Sequence, residues 1–219
     1  MITYAQIREN EAIKTYIKEA DKSLSSIGYT EHSFAHVCRV AEEAAGVLEV
    51  LGYDEHLCEN AKIAGYMHDI GNLINRVDHS QSGAVMAFRI LDNLGMDAED
   101  ISCIVSAIGN HDEGTGIPVN EVAAALILAD KSDVRRTRVR NREKSTFDIH
   151  DSVNYSVQSS KLDISKEDKT ITLLLKIDTE YSSVMDFFEI FLTRMLLCKK
   201  AAEALGMHFK LKINEHSML

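Results

Sequence analysis

Histidine and aspartate residues recur through the middle of this 219-residue chain in a pattern that suits metal coordination. Six such side chains stand in an otherwise apolar helical pattern: His36, His68, Asp69, His79, His111 and Asp130. Mixed nitrogen and oxygen donors of this kind suit a catalytic transition-metal site. Any one of them alone is most simply a hydrogen-bonded or solvated residue, so the hypothesis requires that all six converge.

The adjacent pair His68 and Asp69 is the centre of this pattern. Neighbouring residues on a helix point about 100° apart, but at a frayed C-terminal turn both side chains can reach the same small volume. A carboxylate can also bridge two cations, which makes Asp69 the natural bridge. His36 and Asp130, each from a separate helix, could complete a four-ligand site.

His79 and His111 lie next to loop segments and could hold a second ion. Two cations about 3.5 to 4 Å apart would generate a hydroxide at neutral pH and neutralise the charge of a phosphate under attack. The pattern therefore predicts hydrolysis of a phosphate ester, with Asp69 as the catalytic bridging residue. The remaining histidines are interpreted as structural: His32, His56, His150, His208 and His216.

Composition restricts the setting of such a site. Hydrophobic content of 45% with 26% charged residues is ordinary for a soluble globular protein. The formal charge of −10 argues against general nucleic-acid binding. No signal peptide and no membrane-spanning run is recognised, and the four cysteines lack CxxC spacing, so a cytoplasmic location with free thiols is expected.

Helical periodicity dominates to about residue 140. The pattern predicts an N-terminal helix within 1–28 and further helices over about 33–52, 55–70, 81–94, 98–109 and 120–130. His36 falls in the first turns of the second helix, and His68 near the end of the third. The candidate ligands therefore lie at helix ends and in adjoining loops, where several helices can present them to one point.

The period changes beyond residue 150. Val153, Tyr155 and Val157 alternate with polar residues, as do the apolar residues of 171–177 and 207–213, which is typical of half-buried strands. A long helix is predicted over 182–205. The expected fold is mainly α, a helical bundle domain over 1–145 followed by a small α+β domain over 150–219 with an antiparallel sheet and one long helix.

The segment from about Ser33 to Arg136 resembles the HD superfamily of metal-dependent phosphohydrolases. The resemblance covers about half of the chain and depends on five short elements in order: His36-Val37-Cys38-Arg39-Val40, Tyr66-Met67-His68-Asp69-Ile70-Gly71, His79 followed by Gly83-Ala84, Ile108-Gly109-Asn110-His111, and Ala129-Asp130-Lys131. It implies a helical bundle with a first metal on His36, His68, Asp69 and Asp130. His79 and His111 match the extra ligands of members that hold two metals.

A binuclear centre is therefore preferred to a mononuclear one. Iron or manganese suits it best, and zinc, magnesium, nickel and cobalt stay open. Many active members continue the motif with a lysine where this chain has Asn72, which puts one phosphate contact in question. Lys131, Arg135 and Arg136, in the basic run after Asp130, are the other candidate substrate-binding residues.

The predicted activity is hydrolysis of a phosphomonoester or phosphodiester of a small substrate, preferably a nucleotide, by metal-activated hydroxide. The alternative is a catalytically weak regulatory or ligand-binding module that keeps the metal site. No membrane or nucleic-acid partner is expected. The sequence leaves the oligomeric state open, including a homo-oligomer, and it does not identify the substrate or the role of the C-terminal domain.

Overall fold

The computed structural model describes residues 2–218 and confirms the mainly α-helical fold class. Over this range the chain forms nine α-helices and one four-stranded sheet. The helices are α1 (Tyr4–Glu9), α2 (Glu11–Ser26), α3 (Phe34–Leu51), α4 (Glu55–Met67), α5 (His79–Asn93), α6 (Ala98–Gly109), α7 (Glu121–Ser132), α8 (Ile149–Ser156) and α9 (Val184–Ala204). The strands are β1 (Val157–Ser165), β2 (Thr170–Ile177), β3 (His208–Ile213) and β4 (His216–Ser217).

The N-terminal segment forms two helices and not the single one predicted within 1–28. The chain leaves the helical conformation at Asn10, whose side-chain oxygen accepts the backbone N–H groups of Ala12 and Ile13 and so caps α2. The apolar stripe that predicted the helix, including Ile13 and Ile17, is buried. The interruption follows from the capping chemistry of Asn10, which a pattern of apolar residues does not detect.

Helix α7 is the central element of the bundle. Every residue from Val122 to Ala129 is at most 1% exposed, and α7 packs against α3, α4, α6 and α9. A helix that is apolar on all sides is stable only where neighbours cover every face. Asp130 is therefore carried to the centre of the molecule at the C-terminal end of a fully enclosed helix.

Helices α3 and α4 make the other contact that positions the site. Gly65 lies so close to α3 that a Cβ at this position would stand 2.6 Å from Ala41 Cα. The glycine lets the two backbones approach, because any larger residue would need the space that Ala41 occupies. This close crossing places His36, on α3, beside His68, which follows the last residue of α4.

The segment 149–156 is a helix, so the strand predicted there from Val153 and Tyr155 is wrong. The Asp148 side chain accepts the N–H of Asp151 and caps α8, and Val153 is buried. The predicted strand begins only at Val157, the first residue of β1. In a short segment, an amphipathic helix and a strand share apolar positions, and the capping residue decides between them.

The C-terminal sheet has the order β1-β2-β3-β4 and is mixed. Strand β2 pairs antiparallel with β1, as predicted, but it pairs parallel with β3. The expectation of a purely antiparallel sheet is therefore wrong. Strands β2 and β3 are joined through the 21-residue helix α9, and a crossover of this kind connects parallel neighbours, whereas a tight turn joins antiparallel ones.

Helix α9 packs against α7, α8 and β3, and one hydrophobic cluster extends from α1 into the sheet. The division into domains 1–145 and 150–219 stays a prediction, and its end residues Met1 and Leu219 lie outside the described residues. All four cysteines are free thiols. No helix within residues 2–218 combines the length and apolar character needed to cross a membrane.

Candidate metal centre

The six predicted ligands come from five different elements. His36 lies in the first turn of α3, His68 ends α4, His79 begins α5, and Asp130 lies in the last turn of α7. The other two follow helix ends, Asp69 after His68 and His111 after α6. The four histidines are at most 2% exposed, and the structure brings all six side chains together in the interior.

Four of these side chains form a first cluster. The Nε2 atoms of His36 and His68 are 3.3 Å apart. Asp130 Oδ1 lies 3.3 Å from His36 Nε2, and Asp69 Oδ2 lies 3.2 Å from His68 Nε2. His36, His68 and Asp130 thus present ligand atoms within 4.8 Å of one another, a spacing that can hold a metal ion.

The second oxygen of Asp69 faces the other pair of histidines. Asp69 Oδ1 lies 3.5 Å from His79 Nε2, and the Nε2 atoms of His79 and His111 are 3.2 Å apart. His68, Asp69 and His111 also form a group whose ligand atoms lie within 4.8 Å. Asp69 therefore stands between the two clusters with one carboxylate oxygen turned toward each.

The Nδ1 atoms of all four imidazoles have an oxygen acceptor. His68 donates to the carbonyl of Gly65 at 2.8 Å, His79 to that of Arg76 at 3.1 Å, and His111 to that of Ile108 at 2.6 Å. His36 donates to the Asp133 carboxylate at 2.7 Å. Because Nδ1 carries the proton in this arrangement, Nε2 is left with a lone pair, which is the form that binds a metal. Two such lone pairs about 3.2 Å apart repel unless a cation lies between them, so this donor set fits divalent cations.

Asp133 is a functional candidate that the sequence reasoning missed. Asp133 is 2% exposed, and its carboxylate accepts hydrogen bonds from His36 and Arg135. The guanidinium groups of Arg39 and Arg138 also lie close to it. Burial opposes the charge of Asp133, but the hydrogen bond from His36, followed by Arg138 and Arg135, outweighs it and holds the pKa of this carboxyl well below its usual range. The available signal was its position three residues after Asp130 at the helix end.

The electrostatics of the site favour charged carboxylates and act differently on the individual imidazoles. Burial opposes the charge of Asp69 and Asp130, but His68 beside Asp69 and Lys131 beside Asp130 lower both pKa values well below the usual range. Burial lowers the pKa of His111. Burial also acts on His68, but Asp69 and Asp130 outweigh it and raise its pKa; the same carboxylates would attract a metal ion.

Arg76 stands at the second cluster and was not recognised from the sequence. Its Nη1 lies 3.2 Å from His79 Nε2 and 3.4 Å from Asn72 Oδ1. A cation on His79 therefore requires the guanidinium to turn away from Nε2. The carboxylate of Asp112, 3.9 Å from Arg76 Nη2 and also 3.9 Å from His79 Nε2, offers it a partner in that direction.

The predicted substrate-binding residues have different surroundings. Lys131 lines the cavity in front of the cluster, with its Nζ 2.7 Å from Asp130 Oδ2. Arg135 instead pairs with Asp133 and Glu31, and Arg136 donates to the carbonyl of Tyr155, with its guanidinium stacked on that residue's ring. Neither arginine lines the cavity. Through these contacts the two arginines hold the segment after α7 in place.

Asn72 is 1% exposed and lies behind Asp69, not in the cavity lining. Its side-chain Nδ2 donates to the backbone carbonyl and to Oδ1 of Asp69, both at 2.9 Å. Both amide protons are therefore committed to the residue that stands between the clusters. In this structure Asn72 orients Asp69, an outer contact of the kind that tunes metal ligands.

The cluster opens into a cavity of about 310 Å³. Asp69, His79, His111, Asp130 and Lys131 form its inner wall. Residues that the sequence reasoning left aside or interpreted as structural form much of the remainder, namely Tyr29, His32, Arg76, Arg138, His150, Phe191 and Arg194. His32 and His150, which the sequence analysis interpreted as structural, thus border the same cavity as the candidate ligands.

Comparison with known proteins shows the family to which this chain belongs. A family model for the HD domain matches residues 33–156, more than half of the chain, and the protein belongs to the HD domain family. It is 26% identical over 175 residues to the uncharacterized protein MJ1020 of Methanocaldococcus jannaschii, covering 67% of this chain and 65% of that relative's length. A crystal structure described as a predicted HD superfamily hydrolase from an uncultured Thermotogales bacterium has 27% identity and a TM-score of 0.46, covering 57% of this chain and 67% of that one.

Proposed function

We propose that the protein is a metal-dependent phosphohydrolase with a binuclear centre. His36, His68, Asp69 and Asp130 would hold one divalent cation, and His79, His111 and Asp69 the other. Membership of the HD domain family and the mixed nitrogen and oxygen donors support this assignment. Iron or manganese is the preferred metal, because imidazole nitrogens suit iron and carboxylate oxygens suit manganese.

The observation that carries the proposal is the shared hydrogen-bonding pattern of the four imidazoles. Each Nδ1 donates to an oxygen, so each Nε2 offers a lone pair toward the same small volume beside two carboxylates whose pKa values are lowered. When bound, divalent cations at this position would activate water and neutralise phosphate charge.

The remaining residues of the cavity would bind and orient the substrate. Burial opposes the charge of Lys131, but Asp130 and Glu113 outweigh it and raise its pKa, so the ammonium stays protonated and can donate to a phosphate oxygen. Asn72 keeps the Asp69 carboxylate oriented. Asp69, His79, His111 and Lys131 are at most 5% exposed, and this burial strengthens their charge interactions.

A nucleotide is the proposed substrate class. Tyr29 borders the cavity and is 41% exposed, so its ring is available to a planar base. Stacking of a base on an aromatic side chain contributes about 1 to 3 kcal/mol and tolerates any base. The bound metal ions with Lys131 would meet the phosphate, and Tyr29 would meet the base.

Purified protein should hydrolyse p-nitrophenyl phosphate or its bis-ester when Mn²⁺ or Fe²⁺ is supplied. Removal of the metal with a chelator should abolish the activity, and addition of the metal should restore it. The same assay on a panel of nucleotides would identify the substrate class. Tight nucleotide binding without turnover under all metals would favour the regulatory module instead.

Replacement of His111 by alanine should distinguish a two-metal from a one-metal centre. Only the second cluster contains this imidazole, and the first cluster has its own four ligands. We expect elemental analysis of the purified variant to give about one ion per chain where the wild type has two. Equal metal content in wild type and H111A would contradict the binuclear assignment, and a matched variant of the exposed His208 should leave the content unchanged.

A further inference from the structure

Arg194 reaches the cavity from outside the part of the chain that matches the family. It lies on α9, whereas the HD domain match ends at residue 156. Its side chain lines the same cavity as Asp69, Asp130 and Lys131. The C-terminal segment thus contributes a permanent positive charge to the wall of the candidate active site.

Only one edge of the Arg194 guanidinium is used by the protein. Its Nε donates to Glu113 Oε1 at 2.8 Å, and its flat face lies on the Phe191 ring, 4.6 Å from the ring centre. Among residues 2–218, no hydrogen bond or ion pair occupies Nη1 or Nη2. The side chain is 27% exposed, so these two groups with their four N–H donors are open to a ligand in the cavity.

Glu113 connects this arginine to Lys131. Its Oε2 lies 2.6 Å from Lys131 Nζ while its Oε1 accepts from Arg194. One carboxylate therefore holds two cations at a defined spacing, and the trio keeps a net positive charge beside Asp130.

We propose that Arg194 is a substrate-binding residue that, with Lys131, holds a phosphoryl group of the substrate at the metal centre. Glu113 is the positioning residue for both cations. The inference rests on the proposed phosphohydrolase function for the nature of the ligand. It gives the C-terminal segment a role in the active site. Helix α9 would supply a phosphate-binding arginine in addition to Lys131, which lies within the HD segment.

The guanidinium geometry favours this role over a simple packing contact. Arginine binds phosphate through two parallel N–H donors, and the open Nη1 and Nη2 groups offer that fork. The stacking on Phe191 and the bond to Glu113 restrict the rotation of the side chain, so little entropy is lost when an anion binds. Arg138, which is 4% exposed, shows the contrast, because its Nε and Nη1 both donate to backbone carbonyls, whereas Arg194 uses only Nε.

The test is binding of inorganic phosphate to the metal-loaded protein, measured by calorimetry and independently of turnover. Loss of charge-assisted hydrogen bonds should raise the phosphate Kd of R194Q by about 10- to 100-fold, with an intermediate effect for R194K, which keeps the charge but not the fork. The metal content of R194Q should equal that of the wild type. The matched control is R89Q, because Arg89 is exposed on α5 and outside the cavity lining.

A purely structural contact between α9 and the loop of Glu113 gives a different result. In that case R194Q and E113Q would lower the melting temperature alike and leave the phosphate Kd within about twofold of the wild type. That result, loss of metal from R194Q, or no phosphate binding by the wild type would overturn the proposal. Phosphate binding that depends on Arg194 without hydrolysis of any ester would uphold it and reject the proposed activity.

Discussion

Asp69→Ala is expected to lower the hydrolysis rate by more than about 100-fold. Loss of a residue that only orients a metal ligand costs about 10- to 100-fold in metal affinity or activity, and Asp69 would contact both cations directly. Its two oxygens face His68 at 3.2 Å and His79 at 3.5 Å, so no other carboxylate can replace it in both clusters. Steady-state kinetics with elemental analysis would measure the loss of activity together with the loss of metal.

Two further variants serve as controls for this experiment. Asp69→Asn keeps the shape of the side chain and the contact with Asn72 through Oδ1, but it removes the negative charge and one of the two acceptor oxygens. It should therefore retain the fold and lose most of the activity. Asp97→Asn, at the start of α6 and away from the cavity, should behave as the wild type. Near-normal rates for Asp69→Ala with added metal would reject the bridging role.

Gly71→Ala is expected to destabilise the fold by about 3 kcal/mol or more, and to disturb the second metal cluster. A Cβ at Gly71 would stand 2.0 Å from the His79 carbonyl oxygen and 2.5 Å from the Gly83 backbone nitrogen. Both obstacles are backbone atoms at the start of α5, so relief requires that the whole helix moves. Because His79 is the first residue of that helix, the ligand moves with it.

The matched control for this substitution is Gly46→Ala. Gly46 lies in the middle of α3, and a Cβ there would meet no atom within 4 Å. Removing a glycine from a helix interior without a clash should stabilise the protein by about 0.5 to 1 kcal/mol. Urea unfolding followed by circular dichroism would measure both free energies of unfolding, and equal stability of the two variants would contradict the close approach at Gly71.

The candidate ligands could be predicted from the sequence because their chemistry is carried by residue type and order. His68-Asp69 ends one helix, and His36 and Asp130 fall at the ends of two others, so a helical bundle can bring them together. Their convergence is now visible in the distances between Nε2 atoms. Their function as metal ligands stays a proposal for the experiments above.

Elements of the C-terminal part were harder to predict. The segment around Val153 satisfies both a helical and a two-residue period, and the cap by Asp148 decides for the helix. The parallel pairing of β2 with β3 depends on where α9 crosses the sheet. Strand alternation tells which face is buried, but it carries no information about the direction of a neighbour.

Residue order alone determined the helical bundle, the buried faces of its helices and the six candidate metal ligands, because periodicity and donor chemistry are local properties. Only the tertiary structure decided which charges reach the cavity. It pairs Arg135 with Asp133, commits Asn72 to Asp69, and brings Arg194 from α9 to Glu113. Those assignments depend on which partner lies within hydrogen-bonding distance after packing, and such partners are up to 81 residues apart along the chain.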